Sequence, residues 1–110
     1  ALQGTGYRGH RSWRWIRAPR HLMTYRLSYS HHFEKGFKTL SKDEQAHVKK
    51  ALAELVKDPH YSALRTKHLH SAHDLFESSA NMDIRIIWHH QDDETIALLD
   101  VGHHDILKKY

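Results

Sequence analysis

Three consecutive stretches decide the fold: Ile84-Arg85-Ile86-Ile87-Trp88, then Gln91-Asp92-Asp93-Glu94, then Thr95-Ile96-Ala97-Leu98-Leu99-Asp100-Val101. The first is β-branched and aromatic and reads as a central strand. The second is a hairpin turn by composition. The third is another strong strand, broken by Gly102 and followed by a short basic tail that can turn helical and ends at Tyr110. Just before them, Asp74 to Ser78 reads as a shorter strand, preceded by a polar loop from Tyr61 to His73 that can open with a helical turn.

Further back the period changes. Val48, Ala51, Leu52, Leu55 and Val56 fall at i, i+3, i+4, i+7 and i+8, one apolar stripe along a helix. Ser41-Lys-Asp-Glu44 has the form of a capping box at its start, and Asp58-Pro59 stops it. Phe33, Phe37 and Leu40 mark a short helix before it, weakened by Gly36. From Met23 to Tyr29, Tyr25, Leu27 and Tyr29 alternate with polar residues, which predicts a strand. The order is β-α-α-β-β-β. This is an α+β fold: a small antiparallel sheet with a helix pair on one face and the other face open for binding.

At 110 residues the chain is read as one domain, residues 23–110, behind a leader. Residues 1–22 carry five arginines and no acid, so although the chain is formally +4, the remainder is −1, with 12 Lys and Arg against 13 Asp and Glu. The leader has no helical or strand period and reads as tag-derived or disordered. The alternative is an RNA-binding arm in which arginines interleave with Trp13 and Trp15. A nucleic-acid reading therefore cannot rest on net charge; it must rest on where particular cations sit. The absence of cysteine excludes disulfide and thiol chemistry and agrees with a reducing cytoplasm. No run of about 18 apolar residues is present to span a membrane. His68-x-His70, His89-His90 and His103-His104, with Asp74 or Asp105, invite a metal, yet their spacing matches no closed zinc pattern, so neither metal nor cofactor is expected.

The element order resembles that of the RelE/ParE toxin superfamily. Three stretches carry the likeness: Asp83-Ile-Arg-Ile-Ile-Trp88 as the central strand, Leu99-Asp-Val-Gly-His-His-Asp105 with the tail to Tyr110, and His68-Leu-His-Ser71 as the loop motif before the sheet. The resemblance covers residues 23–110 and none of the leader. It implies a type II toxin neutralised by a cognate antitoxin. It also implies one of two activities: metal-independent cleavage of mRNA, usually on the ribosome, or poisoning of DNA gyrase by members that generally lack the catalytic set. A third reading is an inactive member that acts through antitoxin binding.

Cleaving RNA without a metal uses the adjacent 2′-hydroxyl and needs a base, an acid and a cation for the phosphorane. Period two turns Arg85 to the open face, with Ile84, Ile86 and Trp88 toward the helices. The resemblance implies that Arg85 grips the phosphate, that His104 is the general acid, and that Tyr110 stacks on a base or orients the 2′-hydroxyl. RelE itself draws on lysines where this chain has Phe76-Glu-Ser-Ser79, so the base falls to Glu77, His70 or His68, with Asp74 orienting. Arg65 and Lys67 are expected to contact backbone phosphates, with Lys108 serving likewise and His103 as a neighbour in substrate binding. The many apolar residues of so short a chain are expected to leave an exposed patch for the antitoxin.

Overall fold

The computed structural model describes residues 24–69 and 74–110. The leader, the start at Met23 and the candidate base His70 lie outside the described residues. Strands β4 (Ile84–Asp92) and β5 (Thr95–His103) form the central hairpin. Its acidic turn is closed by Asp92, whose carboxylate accepts the Glu94 backbone N–H at 2.8 Å. Strand β3 (Phe76–Ser79) pairs antiparallel with β4, and β2 (Lys67–His68) antiparallel with β3. Strand β1 (Arg26–Tyr29) joins the other edge, giving the order β1-β5-β4-β3-β2.

Two features correct the expectation within the α+β plan. The sheet is mixed, because β1 runs parallel to β5, Arg26 opposite Thr95 through Tyr29 opposite Leu98. Lys67 and His68, read as loop, form a fifth strand: two exposed residues carry no period, and only their pairing with β3 makes them one.

Helix α1 (His31–Thr39) is capped by Ser30, and α2 (Lys42–Lys57) by the reciprocal Ser41–Glu44 box. The stripe of α2 buries Val48, Ala51, Leu52 and Leu55 against Ile84, Ile86, Trp88, Ile96, Leu98 and Val101, with Phe33 of α1. Each large residue so buried contributes about 1.5–3 kcal/mol. Gly36 is explained by close approach: a Cβ there would lie 2.5 Å from the Val101 carbonyl oxygen. The expected exposed patch is small among the described residues, where Tyr61 and Met82 are the exposed large apolar side chains.

A buried relay ties the loop before β2 to the sheet. Trp88 Nε1 donates to Ser78 Oγ at 2.8 Å, and Ser78 Oγ lies 2.7 Å from Thr66 Oγ1. The Thr66 hydroxyl donates to the Pro59 carbonyl at 2.6 Å, which leaves Ser78 to donate to Thr66. Each side-chain polar atom of this relay is thereby satisfied. Arg65, next to Thr66, ends the 3-10 turn Ser62–Leu64 in the left-handed region at φ 49° and lines a cleft together with Ser79 of β3.

Candidate active site

Cross-strand partners share a face. The register lines up Lys67, Glu77, Ile87 and Asp100 across four strands, with Ser79, Arg85 and Gly102 in the next row. All seven lie on the face away from the helices.

Arg85 is on that face but is not free. Its Nη1 donates to the carbonyls of Asn81 and Met82 at 3.0 Å and of Ile84 at 3.2 Å. The Asn81 side chain shapes this turn by accepting the N–H groups of Asp83 and Ile84, each at 2.8 Å. Arg85 Nε lies 3.8 Å from Glu77 Oε1, and the two side chains are only 16% and 13% exposed. Glu77 Oε1 is buried with no hydrogen-bond partner among the described residues. Arg85 Nη2 has no partner among the described residues. Arg85 and Arg65 together line a cleft of about 250 Å³, walled by Ser79, Asn81 and the exposed Met82.

The other end of the face is covered by the 3-10 segment His104–Lys109. A Cβ on Gly102 would meet Ile106 Cγ2 at 2.6 Å, so glycine is what allows this segment to lie on the strand. Ile87, fully buried on this face, lies between Glu77 and Asp100. Beyond it the Tyr110 hydroxyl donates to Asp100 Oδ2 at 2.9 Å. Burial, then the hydrogen bond and charge of Asp100, push the Tyr110 phenol up to about 12, so it stays protonated and acts as a donor.

Asp100 faces this way because of a bulge. Ile87 pairs with Asp100 but Trp88 with Leu98, so Leu99 is the extra residue. Ser30 donates to the Leu99 carbonyl at 3.0 Å while capping α1, which brings His32 Nε2 to 3.2 Å from Asp100 Oδ2.

The face thus brings together Arg85, Glu77, Arg65, Lys67 and Tyr110. His104 opens the covering segment and is exposed, with no hydrogen-bond partner among the described residues; Lys108 is exposed on the same segment. Two expected residues lie elsewhere. His103 pairs with Ile84, so strand alternation turns it to the helix side, where its Nε2 lies 2.9 Å from Glu44 Oε2. That hydrogen bond and the Glu44 charge raise the His103 pKa above its usual 6.5. His68 pairs with Phe76, also on the helix side, and packs edge-on against its ring at 5.1 Å. Asp100 and His32 were not anticipated; a lone carboxylate inside the apolar run Leu98–Val101 was the available signal. Among the described residues no three His, Asp or Glu side chains are grouped to hold a metal ion, and no helix is long and apolar enough to cross a membrane.

No protein-family model and no curated protein matches the chain. Solved structures do. RelE in the RelE–RelB complex of Pyrococcus horikoshii aligns at 21% identity and a TM-score of 0.61, covering 74% of this chain and 96% of that one. YafQ from E. coli aligns at 18% and 0.63, covering 76% and 97%. The RelB–RelE complex of Methanococcus jannaschii gives 17% and 0.59, covering 74% and 95%. The described fold is that of the RelE-like toxins, and at these identities the likeness is one of fold.

Proposed function

We propose that this chain is the toxin of a type II toxin–antitoxin pair and cleaves mRNA on the ribosome through its Arg85 face, without a metal. In this reading the 2′-hydroxyl attacks the adjacent phosphorus and the bond to the 5′-oxygen breaks, leaving a 2′,3′-cyclic phosphate and a 5′-hydroxyl. Arg85 Nη2 and Arg65 hold the non-bridging oxygens, since planar guanidinium forks suit phosphate. Glu77 takes the proton of the nucleophile, and the imidazole of His104 protonates the leaving oxygen. Lys67 and Lys108 contact the RNA backbone. The partner is a cognate antitoxin that neutralises the toxin, and the site of action is the cytoplasm. The RelE-like fold of complexes solved with antitoxins supports the partner.

The observation that carries the reading is a buried Glu77 carboxylate oxygen 3.8 Å from the guanidinium of Arg85, which itself lines a two-arginine cleft; among the described residues neither that oxygen nor Arg85 Nη2 has a hydrogen-bond partner. A buried acceptor without a donor is costly, and an incoming hydroxyl supplies one. Primer extension on mRNA from a translating extract tests it: discrete cuts are expected. On isolated RNA, fragments ending in a cyclic phosphate are expected to form in the presence of chelator. Absence of cuts, or their loss with chelator on isolated RNA, contradicts it. A second reading, an inactive member acting through antitoxin binding alone, is favoured by the three carbonyls that already engage Arg85; it predicts no cuts.

A further inference from the structure

Asp100 is 3% exposed in the middle of β5, where an apolar residue would pack beside Ile87 at no electrostatic cost. A buried carboxylate costs several kcal/mol unless its oxygens are matched. Here each oxygen has a task. Oδ1 accepts the Val101 backbone N–H at 2.8 Å. Oδ2 accepts the Tyr110 hydroxyl at 2.9 Å and faces His32 Nε2 at 3.2 Å and Lys109 Nζ at 3.9 Å. Three groups from two distant parts of the chain meet one oxygen, and two of them flank the exit of the segment His104–Lys109. At its other end the same segment is seated by Ile106 on Gly102, the residue directly opposite Arg85.

We propose that Asp100 is a positioning residue: its carboxylate clasps Tyr110 and so holds the 3-10 segment, with His104 at its start, over the Arg85 face. Ile106 on Gly102 restrains the segment near its entry, and Asp100–Tyr110 restrains its exit. His104, between the end of β5 and the Ile106 seat, opens this doubly held segment, and its imidazole is exposed. A general acid gains most when its geometry is set before substrate arrives. Asp100 thus acts on the reaction only through Tyr110 and the backbone between, and this consequence rests on the nuclease reading above.

The test is a double-mutant cycle with Asp100→Asn and Tyr110→Phe on the full chain, read by two independent signals. The first is ionisation of the Tyr110 phenol, followed by NMR of Cζ-labelled tyrosine and assigned by its loss in Tyr110→Phe. In the parent the phenol is pushed up to about 12, first by burial and then by Asp100, and in Asp100→Asn it is expected to fall part of the way back toward 10, burial remaining. The second is cleavage of a short RNA. Tyr110→Phe is expected to lower kcat about tenfold and Asp100→Asn by less, each with KM little changed, and the double variant to be no slower than Tyr110→Phe, because one change removes and the other weakens the same charge-assisted bond. Losses that multiply in the double variant, or a Tyr110 titration unmoved by Asp100→Asn, overturn the proposal. If Asp100→Asn fails to fold, Tyr110→Phe still decides: a kcat equal to the parent's overturns it. No cleavage by the parent, with the phenol responding as expected, overturns the nuclease reading and leaves the clasp standing.

Discussion

Replacing Arg85 by alanine removes more than a cation. The carbonyls of Asn81 and Met82 lose a donor at 3.0 Å, and the Glu77 carboxylate, 13% exposed, is left without its ion-pair partner. Removing one member of a buried pair costs about 3–5 kcal/mol, and the 3.8 Å separation with residual exposure puts this case at about 2–4 kcal/mol. In a small domain 1 kcal/mol moves Tm by about 4–8 °C, so Arg85→Ala is expected to melt roughly 10–30 °C below the parent. Adding Glu77→Gln removes the orphaned charge and is expected to restore about half of that loss. Arg85→Lys keeps a charge near the turn carbonyls and is expected to melt closer to the parent, while losing the second arm that borders the cleft. Thermal unfolding followed by circular dichroism checks all three. An Arg85→Ala variant melting within about 3 °C of the parent refutes the reasoning, because 2 kcal/mol is too large to hide at this size.

Gly36→Ala is expected to destabilise by about 1–3 kcal/mol through overpacking, although alanine gains up to about 1 kcal/mol of helix propensity; the added Cβ would meet a backbone oxygen at 2.5 Å that cannot step aside. Urea unfolding measures it, and a stabilised variant would contradict the close approach. Ser78→Ala is expected to cost about 1–3 kcal/mol by leaving the Trp88 indole N–H unpaired, seen in the same assay. The His103–Glu44 pair predicts a pH dependence. His103 is raised, so its contribution is complete below about 6.5 and is lost as pH rises through its folded value. Glu44 is lowered, chiefly by the Ser41 backbone hydrogen bond and then by His103, so its contribution is present above about 4.5 and lost on acidification. The pair therefore stabilises most between those limits. His103→Gln is expected to flatten the stability profile from pH 6 to 8, and an unchanged profile would count against the contact.

How much of this was legible in the sequence depends on whether a residue's environment is local. The stripe from Val48 to Leu55 and its capping box declare α2 because both repeat within one element. Strands β4 and β5 are legible for the same reason, and alternation alone turned Arg85 to the correct face. It also contained the answer for His103, since Val101 faces the helices and the residue two further on must do so too. Strand β2 was hidden because Lys67-His68 has neither length nor apolar character. The parallel pairing of β1 with β5 brings together residues some 70 positions apart, with nothing local to announce it. The engagement of Arg85 by three carbonyls depends on how the Asn81–Asp83 turn folds, and Asp100 points to Tyr110 only because Leu99 is a bulge.

The central claim is that the Arg85 face cuts RNA, and the most direct measurement is the single-turnover cleavage rate of a labelled mRNA on translating ribosomes by the parent, Arg85→Lys and Glu77→Gln. Removing one preorganised donor from a charged transition state slows reactions by about 100–1000-fold. Losses of that order are expected in both variants, with the fold intact by circular dichroism. A folded Arg85→Lys or Glu77→Gln protein that cuts at the parent's rate would contradict the account.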